Sequence, residues 1–95
     1  MFAVSAISEY EVYFGSNAEQ DIFWNDFFKI LNVLPFTSDV NKLAIKTVRQ
    51  LKRKGLHIDI PDLFIGSTAL YNEMKLATLN KKHFEHIDKL IIITP

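Results

Sequence analysis

An α/β fold with a parallel sheet is predicted by two features of the sequence. Short apolar runs, each long enough for one strand, alternate with longer segments in which apolar residues recur at helical spacing. The closing run, Leu90-Ile91-Ile92-Ile93-Thr94, is β-branched and uninterrupted, the signature of a strand covered on both faces. Strands alternating with helices in this order imply parallel pairing through helical crossovers. About four strands are visible.

Phe2 to Ile7 is apolar enough for the first strand. Ser8-x-x-Glu11 behind it has the form of a capping box, opening a short helix through Phe14 that Gly15 ends. Glu11 thus falls just past a strand end, either as half of that box or as an acid placed for chemistry. Ser16-Asn17 then caps a helix from about Ala18 to Leu31, with Ile22, Phe23, Trp24, Phe27, Phe28, Ile30 and Leu31 on its apolar side. Core packing is one use of so wide a face; an interface with another chain is the other, since aromatics are enriched at interface cores.

Val33-Leu34-Pro35-Phe36 is a short strand, and Thr37-Ser38-Asp39 starts a helix running to about Lys54, where Gly55 stops it. Val40, Ala44, Val48 and Leu51 face inward. Lys42, Lys46, Arg49 and Arg53 recur at spacings of four and three on the outer side, either as a solvated face or as a stripe for phosphates. The next helix begins near Asp59, with Pro61 in its first turn, where a missing N–H costs nothing, and Asp62 directly after it. Leu63, Ile65, Gly66, Ala69 and Leu70 form its apolar face, so Asp62 is held at the end of a buried helix. The strand Leu76-Ala77-Thr78-Leu79 follows. Asn80 caps a last helix that carries Lys81, Lys82, His83 and Phe84 and passes through Ile87.

Composition narrows the function classes. With 95 residues, 48% of them hydrophobic, and only three glycines and three prolines, the chain is expected to form one globular domain over residues 1–95. Eleven basic and eleven acidic residues cancel, so nucleic acid would be drawn by local charge, not by a global field. The absence of cysteine excludes disulfide scaffolds and thiolate metal sites. No apolar run nears the roughly 20 residues that span a bilayer, and no signal-peptide pattern opens the chain, so a soluble cytoplasmic protein without a membrane partner is expected. No glycine-rich phosphate loop, zinc signature or nucleophilic-serine motif is present.

Asp62 opening an apolar helix that contains Thr68-Ala69-Leu70, then a strand leading through Thr78-Leu79-Asn80-Lys81-Lys82-His83-Phe84, resembles the PIN domain, in particular the VapC-like toxins of bacterial toxin–antitoxin pairs. Ala3-Val4-Ser5-Ala6-Ile7-Ser8 followed by Glu11 and Gly15 is similar to that family's second strand and its acidic helix start, and Leu90 to Thr94 to its closing strand. The resemblance implies a three-layer α/β/α sandwich and a metal-dependent endoribonuclease. Glu11 and Asp62 would be its catalytic acids and metal ligands, with Ser5, Ser8, Thr78, Asn80 and His83 in support and Mg²⁺ or Mn²⁺ as the cofactor. It further implies an RNA substrate and a cognate antitoxin; the stripe of Lys42, Lys46, Arg49 and Arg53 would be the RNA-binding face of such a protein. His83 stands where the family often has Asp.

Ligands of open parallel sheets bind beyond the carboxyl ends of strands. If the named residues converge there, two carboxylates, an amide, three hydroxyls and an imidazole make an oxygen-rich set suited to Mg²⁺ or Mn²⁺. Matched to the family, Met1 falls near the start of the second strand, and the family's first strand with its Asp has no counterpart. Because that strand lies mid-sheet in the family, a homodimer or a rearranged packing is expected to cover the gap, with Phe23, Trp24, Phe27 and Phe28 as contributors. The alternative to a nuclease is an inactive PIN remnant that serves as a protein-binding or dimerisation module.

Overall fold

Two parallel strand pairs anchor the chain in a computed structural model that describes residues 3–94. The described residues fall into two units that divide between Phe36 and Thr37.

The first unit comprises β1 (Ala3–Ser5), α1 (Ala6–Phe14), α2 (Ala18–Lys29) and β2 (Asn32–Leu34). β1 and β2 run parallel, with Ala3 opposite Asn32, Val4 opposite Val33 and Ser5 opposite Leu34. Parallel partners need a crossover, and α1 with α2 supplies it. Phe2 lies outside the described residues, and Ala6 and Ile7 belong to α1 where a strand was expected. The physical reason is a cap three residues upstream of the expected one. Ser5, in extended conformation, accepts the Ser8 N–H at 3.0 Å, and its hydroxyl donates to the Ser8 hydroxyl at 3.0 Å. Ser8 therefore sits inside the first turn, and the expected Ser8–Glu11 capping box does not form.

Asn17 and Gln20 do form a capping box, at 2.9 and 3.1 Å, opening α2 at the expected residue. Phe23, Trp24, Phe27 and Phe28 make a continuous ring cluster, and Tyr13 of α1 packs on Phe28 with centroids 5.4 Å apart. Phe28 is buried and Trp24 half-buried, but Phe23 is 61% and Phe27 39% exposed, as are Ile22 and Ile30 for the most part. The core reading of this face thus holds for one edge only. The Tyr13 hydroxyl donates to Asn25 Oδ1 at 2.6 Å in an exposed hydrogen bond between α1 and α2. Desolvation, then Glu9 and Asp21, keeps this phenol above its usual pKa of 10.0.

The second unit comprises α3 (Ser38–Arg53), α4 (Ile60–Tyr71), β3 (Leu76–Ala77), α5 (Lys81–Phe84) and β4 (Ile92–Ile93). Thr37 caps α3 by accepting the Val40 N–H at 3.3 Å. At the other end Gly55, at φ +72°, allows the Leu56 N–H to reach Leu51 O at 2.9 Å and its own N–H to reach Lys52 O at 3.0 Å. This is the paired closure that a left-handed residue after a helix permits. Val40, Ala44, Thr47 and Leu51 are buried along one side of α3, and Val48 is only half-buried. α4 buries Leu63, Gly66, Ser67, Thr68 and Ala69; Ile65 and Leu70 are half-buried. Tyr71, at the end of α4, donates to Asp39 Oδ2 at the start of α3 at 3.3 Å. The two helices therefore run antiparallel, which returns the start of α4 to the end of α3.

β3 and β4 pair in parallel, Leu76 opposite Ile92 and Ala77 opposite Ile93. Both are shorter than expected. β3 ends because Thr78 Oγ1 accepts the Asn80 N–H at 3.0 Å, turning the chain. α5 stops at Phe84, and single turns through Ile87 and Leu90 continue to Lys89, whose φ of +66° redirects the chain into β4. Ile91 is 58% and Ile93 49% exposed, so β4 is not covered on both faces. Each strand has two hydrogen-bonding edges, and the ladders β1–β2 and β3–β4 use one apiece. The continuous sheet of about four strands expected from the sequence is, among the described residues, two separate pairs. No helix among the described residues is long and apolar enough to cross a membrane.

Candidate functional site

The start of α4 places an acid in a helix first turn. Asp59 is the cap residue, yet its side chain makes no cap bond; Oδ1 instead meets His57 Nε2 at 3.1 Å. Pro61 lacks an N–H, and Asp62 follows in the first turn, where the positive end of the helix dipole favours a carboxylate.

Asp62 then meets a residue from the other side of β3. His83 of α5 brings Nδ1 to 3.2 Å from Asp62 Oδ2. Packing between α4 and α5 sets this approach, because Gly66 leaves room for Ile87, Phe84 and Leu90 against its helix. The Asp62 side chain is 22% exposed and that of His83 54%, so the pair opens to solvent on the histidine side. The two groups are an ion pair when the imidazole is protonated. Among the described residues Asp62 Oδ1 makes no hydrogen bond.

The other expected site residues divide into local groups. Ser5 and Ser8 bond to each other at the cap of α1, and Glu11 is exposed on the same helix. Thr78 and Asn80 are joined through the turn after β3, and the Asn80 side chain makes no cap bond to α5, contrary to its expected role. Lys42, Lys46, Arg49 and Arg53 are all exposed on α3, opposite its buried side, and form no ion pair among the described residues. His57 and His86 each sit beside a neighbouring acid in the chain, His86 at 3.5 Å from Glu85, as exposed pairs. Sequence reasoning did not find the His83–Asp62 contact, which spans a strand and two turns without a local signal. It also missed a depression of about 170 Å³ lined by Gln50, Arg53, Lys54 and Asp88 at the end of α3.

A PIN domain family model matches residues 1–90. The chain belongs to the PIN-domain family. This PIN-domain protein is 35% identical over 86 residues to Ribonuclease VapC1 of Methanocaldococcus jannaschii, a match that covers 90% of the chain and 63% of that relative. It therefore spans less than two thirds of the length of that curated protein. Among solved structures it is similar to VapBC2 from Rickettsia felis bound to a DNA fragment from their promoter, with TM-score 0.82 and 30% identity over 98% of this chain and 74% of that one. It is also similar to VapBC-1 from nontypeable Haemophilus influenzae, with TM-score 0.86 and 28% identity over 98% and 73% of the two chains. Parallel strands and abundant helices in the described residues agree with that PIN-like α/β fold.

Among the described residues no group of three or more His, Cys, Asp or Glu side chains is gathered to hold a metal ion. Asp62 and His83 are a pair. Mg²⁺ commonly keeps several waters and is held by one or two carboxylates together with substrate phosphate, so a carboxylate with an uncommitted oxygen fits an ion held in that way. It does not fit a closed protein cage.

Proposed function

We propose that this PIN-domain protein is a metal-dependent endoribonuclease of the VapC kind, working as one domain in the cytoplasm. The observation that carries the reading is Asp62: an acid in a helix first turn, with His83 Nδ1 3.2 Å from Oδ2 and with Oδ1 uncommitted, in a chain 35% identical to a protein named Ribonuclease VapC1. In the reaction, water adds to phosphorus of an RNA phosphodiester and the bond to the leaving ribose oxygen breaks. Asp62 would hold Mg²⁺ or Mn²⁺ through Oδ1, and by family resemblance Glu11 is a second acid of the set. When bound, such an ion supplies charge stabilisation to the phosphate oxygens and lowers the pKa of a coordinated water. The protein's own part is to keep the Asp62 carboxylate fixed at the helix start. Ser5 and Ser8 hold the start of α1, which carries Glu11, and Thr78 and Asn80 hold the turn between β3 and α5, which carries His83.

The test is cleavage of a structured RNA by the purified chain with Mg²⁺ or Mn²⁺. Cleavage that stops on chelation with EDTA and returns with added metal is the expected result. Salt-dependent binding of RNA without any cleavage would instead favour a binding module that has lost its chemistry.

Lys42, Lys46, Arg49 and Arg53 are proposed to track the RNA backbone, because the stripe runs toward the end of α3 to which the start of α4 returns. Replacing Lys46 and Arg49 together by Ala should lower the slope of log affinity against log salt by about 1.4, at about 0.7 per lost contact with single-stranded phosphate. An unchanged slope leaves the stripe a solvated face. From the named VapBC complexes we extend the proposal to an antitoxin partner, and the open ring face of α2 to a second copy of the chain. Light scattering of the chain at micromolar concentration, alone and with a co-expressed antitoxin, reads both, and a monomer throughout would refute them.

A further inference from the structure

The depression at the end of α3 holds charges of both signs that are left unpaired. Gln50, Arg53, Lys54 and Asp88 line its volume of about 170 Å³. Neighbours in the chain hold these residues in place: Leu51 and Ile87 are buried, and the Lys54 N–H reaches Leu51 O at 3.0 Å where α3 ends. Gln50 is half-buried and the three charged residues are exposed. Two cations and a carboxylate thus share one small space, yet among the described residues none of the four side chains makes a hydrogen bond or an ion pair. Opposite charges kept apart in this way suit a ligand that offers acceptors on one edge and donors on another. Arg53 is also the last member of the stripe begun by Lys42, Lys46 and Arg49. On an α-helix these four positions fall within an arc of about 60° and extend over about 16 Å. The depression therefore adjoins the stripe, and a phosphate chain lying along the stripe would bring a base to it.

We propose that this depression reads an unpaired guanine of single-stranded RNA, with Asp88 accepting from the base and Arg53 and Gln50 donating to it. The inference rests on the reading of the chain as a protein that acts on RNA. Bases splayed out of a single strand are recognised by hydrogen bonds to their edges and by stacking on guanidinium planes. Guanine alone among the RNA bases presents two adjacent donors, N1–H and the N2 amino group, that both oxygens of one carboxylate can accept. On its other edge O6 and N7 accept from a guanidinium fork or an amide. Uracil sets its single N–H between two carbonyls, and adenine and cytosine each set an acceptor nitrogen beside the amino group, so a carboxylate meets repulsion on all three. Lys54, a point charge without fork geometry, serves the phosphate next to the base.

The experiment is binding of the full 95-residue chain to fluorescein-labelled uridine octamers, followed by fluorescence anisotropy in EDTA so that no RNA is cut. The octamers carry G, A or C at one central position, or uridine throughout. The G octamer should bind about five- to a hundredfold more tightly than the others, the range of one good bidentate base contact. Inosine in place of G removes the N2 amino group and should lose much of that preference with the protein unaltered. Asp88→Asn, checked for folding by circular dichroism, should abolish the preference and leave affinity for the all-uridine octamer unchanged. Equal binding of all octamers by the unsubstituted chain overturns the proposal and leaves the RNA reading standing, whereas binding of none overturns the RNA reading with it. A preference for G that survives Asp88→Asn places the readout elsewhere and also overturns the proposal. Free guanosine monophosphate that binds as tightly as the G octamer overturns single-stranded RNA as the ligand, since contacts along the stripe would then add nothing.

Discussion

Asp62→Asn is expected to lower RNA cleavage by at least about a hundredfold, which corresponds to some 2.7 kcal/mol of lost transition-state stabilisation. The substitution is close to isosteric and can keep the approach to His83 Nδ1, now 3.2 Å from Asp62 Oδ2. What disappears is the negative charge. Metal-assisted phosphodiester chemistry draws several kcal/mol from charge that the acidic ligand helps to hold in place, so an amide with the same shape cannot substitute. Folding should change far less, because a carboxylate in a helix first turn contributes about 0.3–1 kcal/mol through the dipole. A rate lost together with a large fall in the unfolding midpoint would point to a structural acid instead. Retained cleavage would remove Asp62 from the chemistry altogether. Glu11→Gln in the same assay tests the second acid separately, since Glu11 is exposed on α1 and its replacement should leave stability almost unchanged.

Elements announced by side chains acting over three or four residues were legible in the sequence. The cap at Asn17, the helix start at Thr37 and the Gly55 stop act locally, and the helices they bound begin or end within two residues of the reading. Local signals also misled where two of them competed. Ser5 and Ser8 are both plausible caps three residues apart, and the chain uses the first because Ala6 favours the helix, leaving only three strand residues. The strands were overextended for a different reason. Apolar composition says that a run can be covered, but pairing partners decide how much of it becomes strand, and Ile91 and Ile93 remain 58% and 49% exposed. The apolar face of α2 was likewise legible as a stripe but not as to what covers it. At the site, Asp62 was found from Pro61 and the helix start, and His83 from the motif after β3. Their contact was not, because it depends on how closely α5 approaches α4, and the residue that sets this approach is a glycine with no side chain to signal it.

That glycine gives the largest stability effect expected of a single substitution in the second unit. A Cβ on Gly66 would lie 2.6 Å from Ile87 Cδ1, with Phe84 Cδ1 at 3.6 Å and Leu90 Cδ2 at 3.7 Å. Ile87 and Phe84 are themselves buried, so the Ile87 methyl has little free space into which to retreat. Gly66→Val should therefore destabilise the chain by about 2–3 kcal/mol, the upper part of the range for overfilling a packed core, with only a few tenths regained from helix propensity. Urea unfolding followed by circular dichroism reads the loss. If overcrowding at Ile87 is the cause, Gly66→Ala combined with Ile87→Val, which deletes Cδ1, should be more stable than the sum of the single effects by about 1 kcal/mol or more, as expected of residues in direct contact. Simple additivity would show that the room beside Gly66 is not what holds α5 in place.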